Sequence, residues 1–371
     1  AFPAAFGLTS LSIGSPTAME KYKADEVEQS GDAFTYSEYA TEHPTGTGPF
    51  KLESYNKTDG TVTMVRNEDY WGDEKAKLAE LVFRSIPDEQ ARKDELRAGT
   101  IDGYDLPSPA DYEALKSEGM KVEIRPIFNI LYLGINQKNN PKLRDLKVRQ
   151  ALEHAIDKET LAKNKLPEGA SARDQFVPEE MDGFTEDVER REFDREKAKD
   201  LLKEADADDL TVNLYVPTEV TRPYMPNPQE IAGAIQDDLE AVGVTVKTTS
   251  KPWNGGYLDD VTVNGNHDLH LLGWTGDYAD AGNFIGTFFG RKKAEFGFNE
   301  KEIFQAIAAA NREPDEAKRK AAYEQASVLI SEYVPAVPLT SSPPAIVVNE
   351  NVEGLIPSPL TDERFYTVSN K

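Results

Sequence analysis

The sequence predicts an α/β protein in two lobes, and three observations carry that prediction. First, Leu210 to Val216 alternates as a strand, Pro228 to Val242 repeats at helical spacing, and Val244-Thr-Val-Lys-Thr248 is again a strand. A further apolar strand, Asp268 to Gly273, follows this strand–helix–strand unit, so at least part of the sheet is parallel. Second, the apolar stretch Leu131-Tyr-Leu-Gly-Ile135 separates a region of strands and short helices from one of longer helices. Third, Ala336-Val-Pro-Leu-Thr340 and Ala345-Ile-Val-Val348 are strand-like with no helix after them, so the tail is expected to return to the first lobe. The lobes expected are 1–135, 136–338 and a return over 339–371, with short crossings near Asn136 and Leu339. A chain of 371 residues is long enough for two domains and a sizeable core.

The elements follow in order. Thr61-Val-Thr-Met-Val65 alternates after the turn Thr58-Asp-Gly60. Leu78 to Ile86 is a strand that Pro87 ends; Asp88 then caps a helix through Leu96, stopped at Ala98-Gly99. Ser108 and Pro109 suit the N-cap and first position of another helix. Val148, Ala151, Leu152, Ala155 and Ile156 recur at helical spacing, and Asp194 caps a helix with Ala198, Leu201 and Leu202 on its inner face. Glu300 to Asn311 and Asp315 to Tyr333 form a closing helix pair.

Composition excludes several classes. With 66 acidic against 42 basic residues the net charge is −24, which argues against nucleic acid or an anionic membrane as partner. The absence of cysteine removes disulfides, thiolate metal sites and cysteine nucleophiles. No apolar run reaches the roughly 18 residues a membrane span needs. The opening Ala1-Phe-Pro-Ala-Ala-Phe6 lacks an initiator methionine and fits a processed or trimmed chain.

The most informative stretch is Leu271-Leu-Gly-Trp-Thr-Gly-Asp277. An apolar strand ends abruptly in a turn that carries an aromatic, Trp274, and an acid, Asp277. Ligands sit at such strand ends in α/β sheets, and an aromatic with one carboxylate is a minimal receptor for an ammonium group. Taken from the residues alone, Asp277 also fits a turn cap, Arg222 a surface arginine, and Trp253, Trp274 and Tyr224 ordinary packing. No Ser-His-Asp order, nucleophile elbow or other activated nucleophile accompanies the stretch, so no catalytic residue is assigned and a binding protein is expected before an enzyme. His267 and His270 would point to opposite faces of a strand, so no metal site and no cofactor are expected. The glycines of Thr45-Gly-Thr-Gly48 lack a following Lys-Ser/Thr and fit a structural turn.

Four motifs in order, His43-Pro-Thr-Gly-Thr-Gly-Pro-Phe50, Arg66-Asn-Glu-Asp-Tyr-Trp-Gly72, Tyr132-Leu-Gly-Ile-Asn136 and Val148-Arg-Gln-Ala-Leu152, resemble the bacterial extracellular solute-binding proteins of family 5, the peptide receptors of ABC importers. Within that family the dipeptide-binding branch is the most similar. Its marks are Arg222-Pro-Tyr-Met-Pro-Asn-Pro228, Trp253 before Tyr257-Leu258, and Gly273-Trp-Thr-Gly-Asp277. The resemblance implies a two-lobed periplasmic-binding-protein-like fold (class II, cluster C type) with a hinge, closing on a short peptide, most simply a dipeptide, in the cleft between lobes. It implies that Arg222 holds the peptide carboxylate and Asp277 the amine. It further implies that Tyr224, Trp253 and Trp274 wall the site, and that backbone groups of Gly273 and Thr275 pair with the peptide unit. A membrane permease as partner, a monomeric state, an extracytoplasmic location and a lipid anchor upstream of Ala1 are implied as well. A first-lobe segment of the family is missing ahead of Ala1. The rivals are the same fold holding a longer peptide, glutathione, haem or a nickel chelate, and, from another class, a peptide hydrolase.

Overall fold

The computed structural model describes residues 6–31 and 33–371; the opening Ala1–Ala5 lies outside them. The chain packs as two units. The smaller comprises the described residues up to 107, with 113–123 and 346–371; the larger comprises 108–112 and 124–345.

Strands in the smaller unit are short and, at the amino-terminal end, exposed. Val27–Ser30 (β1) and Ala33–Tyr36 (β2) form an antiparallel hairpin. Phe50–Asn56 (β3), Thr61–Arg66 (β4) and Glu80–Phe83 (β5) make an antiparallel sheet of three. The expected turn over Thr58-Asp-Gly60 joins β3 to β4, with Gly60 at φ 74°. Asp88 accepts from the Ala91 amide at 2.7 Å and starts the helix Glu89–Ala98; Gly99, at φ 71°, ends it. Gly103–Asp105 (β6) and Lys121–Ile124 (β7) flank a later strand. The motif around Trp71 holds the turn before it. The Trp71 indole donates to Thr47 O at 3.0 Å, the Asn67 side chain to Gly48 O at 2.9 Å, and the Asn67 amide to Pro49 O at 2.8 Å.

A six-stranded mixed sheet forms the centre of the larger unit. Its strands are Asn129–Ile135 (β8), Ser171–Ala172 (β9), Thr211–Thr218 (β10), Thr245–Pro252 (β11), Leu269–Thr275 (β12) and Ala336–Ser341 (β13), in the order β11-β10-β12-β8-β13-β9. β10 runs parallel to β11 and β12, as the strand–helix–strand pattern predicts. β8 is antiparallel to β12 and to β13. Every residue of β8 is buried, which explains its unbroken apolar run: a central strand covered on both faces has no polar side. Helices Leu146–Ala155, Arg195–Glu204 and Pro228–Ala241 contribute Val148, Leu152, Ala198, Leu202, Ile231 and Ile235 to one core. Helices Lys301–Arg312 and Glu316–Tyr333 pack with the aromatic cluster Phe284, Phe288, Phe289, Phe296 and Phe298 into a second.

The unit boundaries differ from those expected. They fall after 123 and after 345 rather than at 135 and 339, because β8 and β13 pair with each other inside the larger sheet. The tail joins the smaller unit only with Ala345–Val348 (β14), whose Ile346, Val347 and Val348 pair with Asp105, Tyr104 and Gly103 of β6.

Candidate ligand site

The site residues expected from sequence all lie in the larger unit, around the carboxyl end of β12. β12 has a neighbour on both sides at its start. The register with β10 ends at Leu214↔Leu269 and Tyr215↔His270, whereas that with β8 continues to Thr275↔Asn129. From Leu271 to Thr275, therefore, no described strand pairs with one edge of β12. Strand parity decides which groups face that edge. The Gly276 amide donates to Phe128 O, toward β8, and Leu271 O accepts from the Tyr257 hydroxyl at 2.5 Å on the opposite side. Backbone groups of Gly273 and Thr275 share the direction of Leu271 and point away from β8. The Thr275 hydroxyl oxygen is buried and has no hydrogen-bond partner.

Arg222 to Met225 forms a closed turn in which the two residues exchange both backbone hydrogen bonds, at 3.1 and 2.9 Å. The turn is tied to the sheet end: the Ser342 hydroxyl donates to Pro223 O at 2.7 Å, and the buried Asn129 side chain pairs with the Ser342 backbone. Tyr224 is buried, which pushes its phenol far above the usual range, and its ring lies on Gly273. A Cβ at position 273 would stand 2.3 Å from Tyr224 Cδ2 and 2.4 Å from Ile130 O, so glycine is what lets the turn and the strand meet. The Arg222 guanidinium lies 4.5 Å from the centroid of the Trp253 ring, and Trp253 in turn stacks on Tyr257 at 5.9 Å and 21°. No carboxylate among the described residues pairs with Arg222. A planar cation stacked on an indole keeps its hydrogen-bonding edge free for a second partner.

Beyond β12 the chain turns through Gly276 and the exposed Asp277 into a wide helical turn, Gly282–Gly286. Asp277 pairs with no cation among the described residues. One of its oxygens, Oδ2, accepts from Asn283 Nδ2 at 3.0 Å, and its backbone amide donates to Asn283 Oδ1 at 2.8 Å. Trp274 donates its indole N–H to the same Oδ1 at 3.2 Å and meets Phe288 edge-on at 5.9 Å. Three groupings result: Arg222 with Trp253, Tyr224 with Gly273, and Trp274 with Asp277. The backbone of Gly273–Asp277 links the last two. Asn129, Ser342 and Asn283 give no signal in the sequence because each acts through partners distant in the chain or across a turn; Asn283, two residues after Ala281, has no charge of its own.

One expectation needs correction. His267 and His270 do not diverge, because β12 begins only at Leu269 and His267 precedes it. Their rings meet edge to face, with His270 Nδ1 and His267 Nε2 2.9 Å apart. Glu295 completes the cluster: its carboxylate accepts from Tyr132 at 2.7 Å and Lys293 at 2.8 Å and lies 3.3 Å from His270 Nε2, while its carbonyl oxygen is 3.0 Å from His267 Nε2. Burial pushes Glu295 up, but His270 and Lys293 outweigh it and hold the acid at about 2. Burial and the neighbouring His270 hold His267 down at about 3, so it is neutral at physiological pH. No group of three or more His, Cys, Asp or Glu among the described residues is arranged to hold a metal ion.

Residues 5–296 match the family model of the bacterial extracellular solute-binding proteins, family 5. The chain is 33% identical to the dipeptide-binding protein of Escherichia coli over 374 aligned residues, covering 99% of this chain and 68% of that relative. Among solved structures it resembles DppA, an ABC transporter-associated periplasmic binding protein from Helicobacter pylori in complex with the peptide STSA. The TM-score is 0.81 at 27% identity, over 100% of this chain and 70% of that one. It also resembles the dipeptide-binding protein of Pseudoalteromonas sp. SM9913 in complex with Met-Leu, with a TM-score of 0.80 at 26% identity, over 100% and 71%. The chain thus spans about two thirds of the length of its relatives. No described helix is long and apolar enough to cross a membrane. The family model's extent, the identity across nearly the whole chain and the shared fold establish that this chain belongs to the bacterial extracellular solute-binding proteins of family 5.

Proposed function

We propose that the chain is the ligand-binding part of an ABC importer receptor that takes up short peptides, dipeptides first, and passes them to a membrane permease outside the cytoplasm. It makes and breaks no bonds. One observation carries the reading: in a single unit, a cation and an anion, Arg222 and Asp277, each without an ionic partner among the described residues, are held on two turns at one strand end, where no described strand pairs with one edge of β12. A peptide's main chain suits that edge, its carboxylate suits a guanidinium fork, and its ammonium suits a carboxylate. The relatives bearing dipeptide-binding names support the same ligand class.

Calorimetric titration with alanyl-leucine tests it. Asp277→Ala is expected to weaken binding on the order of ten- to a hundredfold, the range of a charge-assisted hydrogen bond at an exposed carboxylate. Arg222→Ala is expected to abolish the preference for the free over the amidated carboxyl terminus. Unchanged affinity in the first variant, or unchanged preference in the second, removes that residue from the site. A longer peptide is the second reading, favoured by the four-residue STSA in the Helicobacter pylori relative. Titrating alanyl peptides of two to five residues separates the two: a dipeptide receptor loses affinity at the third residue, since an extra unit pulls one terminal charge off its partner.

A further inference from the structure

The geometry points to Asn283 as the positioning residue of this site, the side chain that aims Asp277 and Trp274 at the ligand's amine. This rests on the peptide-binding reading above and deepens it. Asn283 is only 4% exposed, yet its amide spends all its hydrogen bonds on the receptor turn. Oδ1 takes two donors, the Trp274 indole at 3.2 Å and the Asp277 amide at 2.8 Å; Nδ2 donates to Asp277 Oδ2 at 3.0 Å. The amide orientation is determined by chemistry. Rotated by half a turn, its NH2 would face two N–H groups and its oxygen would face a carboxylate. The backbone of Asn283 is anchored independently, its amide donating to Asp280 O at 2.9 Å and its carbonyl accepting from the Thr287 hydroxyl at 2.6 Å.

This arrangement does two things at once. It locks the rotamer of an otherwise exposed aspartate by occupying Oδ2, which leaves Oδ1 to accept from a ligand. It also fixes the indole plane relative to that carboxylate, so that aromatic wall and acid are presented as one rigid receptor. An exposed aspartate without such a clamp samples several rotamers, and ordering it on binding costs affinity. Asn283 touches no ligand in this scheme and acts only through Asp277 and Trp274.

The test compares alanyl-leucine with N-acetyl-alanyl-leucine by titration calorimetry in the parent protein and in Asn283→Ala, with Asn283→Leu, of similar volume, as the variant that keeps the buried space filled. The preference of the parent for the free amine is expected to fall about tenfold in both variants. Affinity for the acetylated probe, which offers no ammonium, is expected to stay within about twofold. Hydrogen exchange of the Trp274 indole N–H is expected to accelerate. Equal losses for both probes assign Asn283 to general stability and overturn the inference, as does an unchanged preference in a folded variant. A parent protein with no preference for the free amine overturns the reading of Asp277 itself. That result appears before any Asn283 variant is made, so the two failures are told apart.

Discussion

Gly273→Ala is the substitution that most directly probes how the two halves of the site are joined. The added Cβ would stand 2.3 Å from Tyr224 Cδ2, 2.6 Å from Tyr224 Cγ and 2.4 Å from Ile130 O, where ordinary contact begins at 3.4 Å. The ring must therefore retreat by about 1 Å, and Tyr224, 6% exposed, has packed neighbours behind it. The Ile130 oxygen belongs to the main chain of β8 and cannot swing aside. Overpacking of this kind costs about 1–3 kcal/mol, and a backbone contact places this case toward the upper end. The ring also cannot move alone, because Arg222 and Met225 close the turn on either side of it and Ser342 holds Pro223. Arg222 is thus displaced from Trp253, and binding falls together with stability. Urea unfolding and calorimetry with alanyl-leucine measure the two effects. Repeating the substitution in a Tyr224→Ala background isolates the ring contribution, with a coupling of at least about 1 kcal/mol expected; the Ile130 contribution persists. Parent-like stability and affinity in Gly273→Ala, or strict additivity in the double variant, would refute the packing of Tyr224 on this glycine as the link between the turns.

Two further outcomes follow from buried charge. His267 ionises at 6.5 when unfolded and at about 3 when folded, so between those values the unfolded chain binds the extra proton. Stability is then expected to fall as the pH drops from 6.5 toward 3, by about 1.4 kcal/mol per pH unit from this group. The decline should steepen below 4.5 as the stabilisation from Glu295, whose folded value is about 2, is lost in the same direction; in urea titrations at stepped pH, His267→Gln should flatten the profile between 6.5 and 4.5. Arg149 is fully buried and donates to Leu143 O, Arg144 O, Tyr333 O and Val334 O while lying 4.6 Å from the Tyr333 ring centroid. Arg149→Lys cannot reproduce that planar fork and should cost about 2–3 kcal/mol in the same assay, since carbonyls at the end of the helix Glu316–Tyr333 lose their donor.

Local signals were legible in the sequence wherever one residue decides a local outcome. Asp88 and Asp194 cap helices, as their side-chain bonds to the Ala91 and Lys197 amides demonstrate. The alternation of Thr61–Val65 and the continuous apolar run of Leu131–Ile135 distinguish a partly covered strand from a fully buried one. What escaped was set by pairing at long range. β8 and β13 are some two hundred residues apart in the chain, so nothing local assigns both to the larger sheet. His267 escaped for a related reason: period-two alternation applies only within a strand, and this residue stands before β12 begins. The hairpin of β1 and β2 is exposed at every described position and buries no face that would mark it in the sequence.

The same contrast explains why the polar supports of the site were harder to see than its charges. A residue offered to a ligand must leave a charge unpaired, and an unpaired Arg or Asp beside an aromatic stands out in a sequence. A residue that holds such a charge in place spends its hydrogen bonds inside the protein, and a neutral amide used in that way has no chemical signature until the fold is known. Asn129 and Asn283 are of this second kind, one fastening the Arg222 turn through Ser342, the other fastening Asp277. Each belongs to an anchored element, β8 in the first case and the helical turn after Asp280 in the second. The turn that carries Arg222 is thus fastened to β8, and Asp277 to the helical turn Gly282–Gly286. Under the proposed peptide reading, an unpaired strand edge and two opposite charges match groups that every short peptide possesses, which suits recognition of the peptide main chain and termini more than of its side chains.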